Sequence, residues 1–174
     1  MPTQQQDGRC RIVVGLGYTS SPRQLIPFNT RNNALRACVL EWRPAMSDRI
    51  RRFVETMQIQ PNDRVLEIGC GHGVAATLVC ADLDGGRYLA IDRSQKMIAA
   101  AATRNAAFVQ AGVARFMLGS LESLDLGGEQ FDKVFAMRVR LFIEDPERAH
   151  ALARRWLAPG GRLFVEYDEP KKMS

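Results

Sequence analysis

The chain has 174 residues, 46% of them apolar and 25% charged, with a formal net charge of +5. That is about one domain of ordinary globular composition, long enough to bury a core. No apolar run approaches the ~20 residues of a membrane span. The four cysteines and two histidines fall at no zinc-ligand spacing, so no metal site is expected.

The N-terminus, MPTQQQDGRC, lacks the basic-then-apolar pattern of a secretory signal, and a cytoplasmic chain with reduced thiols is expected. Residues 1–55 carry nine arginines against four acidic side chains, which is the whole charge excess. Such a stretch either attracts an anionic partner or is a solvated arm. Its sparse aromatics (Tyr18, Phe28, Trp42, Phe53) build no base-stacking platform. Residues 11–17, RIVVGLG, read as a short strand ending in glycines, but Pro22 and Pro27 follow where a helix would be needed. Residues 32–42 fit a short helix. We read 1–43 as a basic arm or lid and 44–174 as the main domain.

From Pro44 a helix is expected, with Ile50, Phe53, Val54 and Met57 on one face, ending before Pro61. A strand over 64–68 runs into a glycine turn, and the helix after it ends near Asp82. A second strand covers 87–91 and is closed by Asp92. An alanine-rich helix covers about 94–107, and strands follow at 114–118 and 132–137. Pro146 begins another helix, to 157. Pro159-Gly160-Gly161 turns the chain into a last strand at 162–167. Strands alternating with helices of this length predict an α/β fold, a Rossmann-like, doubly wound, mainly parallel sheet of about five strands. The expected order is 3-2-1-4-5, with the ligand at the C-terminal strand ends beside strand one.

The segment VLEIGCGHGV (65–74) carries the chemistry. Strand, glycine turn and helix in succession make a nucleotide-binding beginning, because missing Cβ atoms let a ligand lie against the backbone at a helix N-terminus. A nicotinamide-dinucleotide fingerprint would need its third glycine at 74, where Val74 stands; here it is Gly73. Glu67 precedes the turn on the strand, where a carboxylate would repel a pyrophosphate and suit a cationic ligand. With Glu67, Gly69, Gly71 and Gly73 in these positions, the chain resembles the class I S-adenosylmethionine-dependent methyltransferases. Cys70, inside the turn, reads as a small filler beside the cofactor, and His72 as a backbone spacer.

Asp92 lies about 20 residues beyond the turn, the spacing at which a carboxylate meets ribose hydroxyls in such a fold. Arg93 is expected to flank the adenine with its backbone and stem, and Met97 to wall it. The resemblance implies that Gly119, Ser120 and Leu121 contact the adenine, Ser120 replacing the commoner Asp. It also implies that the backbone at Met137 and Arg138 faces the methionine end, with the side chains of Arg138, Arg140 and Glu144 near the substrate mouth, where an arginine would suit an anionic acceptor or the cofactor carboxylate. Over 136–139 the chain reads AMRV, which lacks the Asn/Asp-Pro-Pro-aromatic motif of adenine or glutamine amino methylation and the Pro-Cys of cytosine C5 methylation.

The expected cofactor is S-adenosyl-L-methionine, and the expected acceptor is a small molecule, methylated by in-line displacement. A nucleic-acid acceptor and a non-catalytic module of the same fold stand as alternatives, and no catalytic base is identifiable. The resembling fold usually continues beyond strand five with a helix and a strand pair. Strand five is therefore expected to be an open edge, covered by residues 11–14 or by a second copy in a homodimer.

Overall fold

The computed structural model describes residues 48–167. The expected arm at 1–43, the helix at 32–42, the added strand at 11–14 and the helix start at Pro44 lie outside them. Helix α1 (Asp48–Met57) leads into β1 (Arg64–Ile68), α2 (Val74–Asp82) and β2 (Arg87–Asp92). Then come α3 (Gln95–Arg104), α4 (Ala106–Gln110), β3 (Ala114–Leu118) and β4 (Phe131–Met137). A short α5 (Leu141–Glu144), α6 (Pro146–Arg154) and β5 (Leu157–Glu166) complete the order.

The strands form one sheet in the order β3-β2-β1-β4-β5, with every adjacent pair parallel. β1 is central, and its residues are buried except at Arg64, as a strand covered on both faces requires. On one face, Val65, Tyr88 and Phe135 pack with Val54 and Met57 of α1 and with the apolar α2. On the other, Leu66, Leu89 and Val134 pack with Ala149 and Ala153 of α6 and with Trp156. The expected order is therefore the observed one, and helices cover both faces.

The elements depart from the sequence reading in several places: a short helix at Leu141–Glu144 was not expected, the helix from Pro146 ends at Arg154 rather than 157, and two further departures shape the site. The long helix at 94–107 breaks at Asn105 into α3 and α4. Asn105 is 1% exposed, and its Nδ2 donates to the Gly73 and Ala101 carbonyls at 2.9 Å each. A side chain so engaged competes with the helical ladder. The last strand begins earlier than expected, at Leu157. Phe131 pairs with Leu157 and Lys133 with Arg162, so the Pro159-Gly160-Gly161 turn is a bulge within β5. Among the described residues β5 pairs only with β4, and Arg49 Nε of α1 meets Glu166 Oε1 at its end at 2.8 Å.

Candidate functional site

The chain reverses its strand order between β1 and β4, and a cleft of about 450 Å³ opens at the C-terminal ends of the strands there. Gly69 and Gly71 form its floor; Asp92 and Arg93, after β2, and Gly119, Ser120 and Leu121, after β3, form one wall. Met137, Arg138, Val139, Arg140 and Leu141, after β4, form the other.

The turn is held by the sheet. Gly69 and Cys70 donate their N–H groups to the Ile91 carbonyl at 2.8 and 3.1 Å, and Gly73 donates to the Cys70 carbonyl at 2.9 Å. Asp92 completes the clamp. Its Oδ2 accepts from Gly71 N–H and its Oδ1 from Ser94 N–H, both at 2.9 Å. Each carboxylate oxygen keeps a lone pair for a ligand hydroxyl. Asp92 thus fixes both the turn and the start of α3, where Ser94 is the N-cap.

Two glycines in the turn serve different ends. At Gly71 (φ 50°) an added Cβ would meet nothing within 4 Å, so the missing side chain leaves room for a ligand. At Gly73 (φ 71°) it would lie 2.7 Å from Asn105 Nδ2 and 2.9 Å from Ala101 Cα. Gly73 is needed for α2 to begin against α3.

Four expected cofactor residues are not among those lining the cleft: Glu67, Cys70, Gly73 and Met97. Glu67 is 3% exposed beneath the turn, and the Tyr88 hydroxyl donates to its Oε2. Burial pushes its carboxyl up to about 8, against the opposing effect of the Tyr88 hydrogen bond, so Glu67 is mainly protonated at neutral pH. Its environment is that of a neutral acid linking β1 to β2. Cys70 is 6% exposed, and burial first, then the nearby Glu67 and Asp92, push its thiol up to about 12. It is not a nucleophile at neutral pH. Met97 is half-buried in the first turn of α3.

Sequence reasoning did not reach several contributors. Glu122 lines the cleft, and its carboxyl is held below the usual range by a backbone hydrogen bond, the Ser120 hydroxyl and nearby Arg93 and Arg148. Val139 packs against the turn, its Cγ2 2.6 Å from where a Cβ on Gly69 would stand. Asn105 locks the turn to α3. The signal for Asn105 was only a polar residue inside an alanine-rich helix. Arg140 lines the cleft as expected, while Glu144 stands behind it, paired with Arg140 Nε at 2.6 Å. The cleft therefore sets Asp92 and Arg93 after β2, Glu122 after β3, and Arg138 and Arg140 beyond β4. Among the described residues there is no cluster of metal-ligating side chains and no helix long and apolar enough to cross a membrane.

A family described as a methyltransferase domain matches residues 66–165, which is every strand from β1 to β5 and the cleft between them. This chain belongs to that methyltransferase family. The 37.1 kDa protein in transposon TN4556 of Streptomyces fradiae is 35% identical over 114 residues, 65% of this chain and 32% of that protein. Phosphoethanolamine N-methyltransferase 1 of Arabidopsis thaliana is 27% identical over 115 residues, 66% of this chain and 23% of that enzyme. The chain thus spans a third or less of these two relatives. Among solved structures, a methyltransferase from Thiobacillus denitrificans in complex with S-adenosyl-L-homocysteine matches with a TM-score of 0.60 and 22% identity. That match covers 69% of this chain and 48% of the other, and it speaks for the methyltransferase fold.

Proposed function

We propose that this methyltransferase domain binds S-adenosyl-L-methionine in the cleft and transfers its methyl group to a small-molecule acceptor. The observation that carries the reading is Asp92. Its carboxylate stands at the end of β2 with acceptor capacity to spare, beside the open face of Gly71. Ribose hydroxyls donate to such a group, and the adenine then extends toward Gly119, Ser120 and Leu121. The methionine end crosses the turn toward Met137 and the residues beyond β4. Methyl transfer is an in-line displacement at a sulfonium carbon, so these residues need only align acceptor, methyl and sulfur and exclude water. Family resemblance alone would not fix the reaction. The support is the family match together with this distribution of donors and acceptors. The chain is taken to be cytoplasmic, in keeping with Cys70 and Cys80 as free thiols.

Calorimetric titration with S-adenosylhomocysteine tests the cofactor site. Asp92→Ala is expected to weaken binding by about 1–3 kcal/mol through the lost charged hydrogen bond, and unchanged affinity would refute the ribose role. Because Asp92 also clamps Gly71, the variant's fold is checked first by circular dichroism. A nucleic-acid acceptor would instead show binding that weakens steeply with ionic strength.

A further inference from the structure

We infer that the acceptor carries an oxyanion, a carboxylate or a phosphate monoester, and that the Arg138 guanidinium at the end of β4 recognises it. This rests on the methyl-transfer reading. Three arginines and two carboxylates line the cleft. Arg93 lies near Glu122, and Arg140 is paired with Glu144. Arg138 has no ion-pair partner among the described residues; the neighbouring Glu166 carboxylate is engaged by Arg49 at Oε1, and its Oε2 is buried without a hydrogen-bond partner. The backbone of Arg138 is also unusual. Its φ is 55°, left-handed in a residue with a side chain, and its N–H donates to the Glu166 carbonyl at 2.8 Å. β5 therefore holds a disfavoured conformation in place at a cleft-lining arginine that has no ion-pair partner among the described residues. Strain that the surrounding structure maintains marks functional positions.

The cofactor's own carboxylate is one anion that could meet Arg138, but the charge balance favours a second. The cofactor's methionine end brings a sulfonium and an ammonium against one carboxylate, a net positive group. A guanidinium on the same side of the cleft adds like charge. An oxyanion on the acceptor offsets both, and a guanidinium binds carboxylate or phosphate through two parallel N–H donors. The acceptor's anion then anchors at Arg138 while its nucleophile turns toward the methyl carbon.

The test is a titration of the full 15N-labelled chain, saturated with S-adenosylhomocysteine, with inorganic phosphate and separately with acetate at constant ionic strength. We expect saturable shifts in the amides of Arg138, Val139 and Leu141. Arg138→Gly, which suits the left-handed backbone and so preserves the fold, is expected to weaken anion binding by about tenfold or more. Arg138→Lys should retain part of it, and Arg140→Gln should change it less. Tighter binding of phosphate than acetate would identify a phosphate monoester, and the reverse a carboxylate. Non-saturable shifts, or equal affinity in Arg138→Gly, would overturn the proposal. So would a weakening of S-adenosylhomocysteine binding in Arg138→Gly with methylthioadenosine binding unaffected, which would assign Arg138 to the cofactor's own carboxylate. Anion binding at Arg138 with no S-adenosylhomocysteine binding in the unaltered chain would instead refute the cofactor reading, and the acceptor role with it.

Discussion

Replacing Gly73 by alanine puts a methyl group where two packed elements leave no space. The added carbon would sit 2.9 Å from Ala101 Cα and 2.7 Å from Asn105 Nδ2. Ala101 is helix backbone and cannot swing aside, and Asn105 is held by hydrogen bonds to Gly73, Ala101 and Thr77. The left-handed φ costs an alanine about 1–2 kcal/mol, and forcing a methyl into a packed contact costs about 1–3 kcal/mol more. The stiffer unfolded chain returns about 0.4–1 kcal/mol. The net loss is roughly 1–5 kcal/mol, or a fall in Tm of about 2–20 °C for a chain of this size. Gly71→Ala is the matched control. It has the same handedness and open space around the new methyl, so its stability should fall by only about 1 kcal/mol. Its affinity for S-adenosylhomocysteine should drop, because the methyl occupies the ligand's place. Urea unfolding followed by circular dichroism, with calorimetry on the same samples, reads both quantities. Equal stability losses in the two variants would refute the separation of a packing glycine from a ligand-facing one.

Glu67 makes stability depend on pH. Its carboxyl lies near 4.5 when unfolded and is raised to about 8 by burial in the fold. Between those values the unfolded chain has released the proton and the folded chain keeps it. This contribution is therefore fully present below pH 4.5, declines as pH rises by at most about 1.4 kcal/mol per unit, and is gone once the folded pKa is passed. Glu67→Gln keeps an acceptor for the Tyr88 hydroxyl, and unfolding curves between pH 5 and pH 8 should be flatter in that variant; parallel curves would contradict the assignment. Lys133 and Asp63 form an ion pair with side chains only 10% and 11% exposed. Lys133→Ala strands the Asp63 charge and should cost about 3–5 kcal/mol. A Lys133→Met, Asp63→Leu double variant should recover most of that in urea unfolding, and no recovery would mean that the pair is not the cause.

The boundaries of β1 to β4 were legible to within a residue because these strands are short apolar runs bounded by turn residues, whereas Pro159-Gly160-Gly161 hid the true start of β5. The run at 114–118 matches β3 and the run at 64–68 matches β1. The cleft was legible where a backbone feature produced it: Gly69, Gly71, Asp92 and the strand-end residues 119–121 and 137–138 come together as expected. Glu67 was read toward the ligand because it sits two residues before the turn. Strand alternation places Val65 and Glu67 on the face covered by α1 and α2, where Tyr88 meets the carboxyl. A one-dimensional count of positions does not carry that pairing.

The sequence by itself determined the doubly wound sheet, its strand order and the place of the cleft. Hydrophobic periodicity and turn residues act over a few neighbours, and the right-handed crossover then leaves few topologies. Only the tertiary structure decided why Gly73 must lack a side chain, that Glu67 is a buried neutral acid, that Asn105 splits a helix to hold the turn, and that Arg138 is bent by β5. Each depends on atoms brought within about 3 Å by packing between elements some 20–30 residues apart in the chain, contacts that local propensity does not encode.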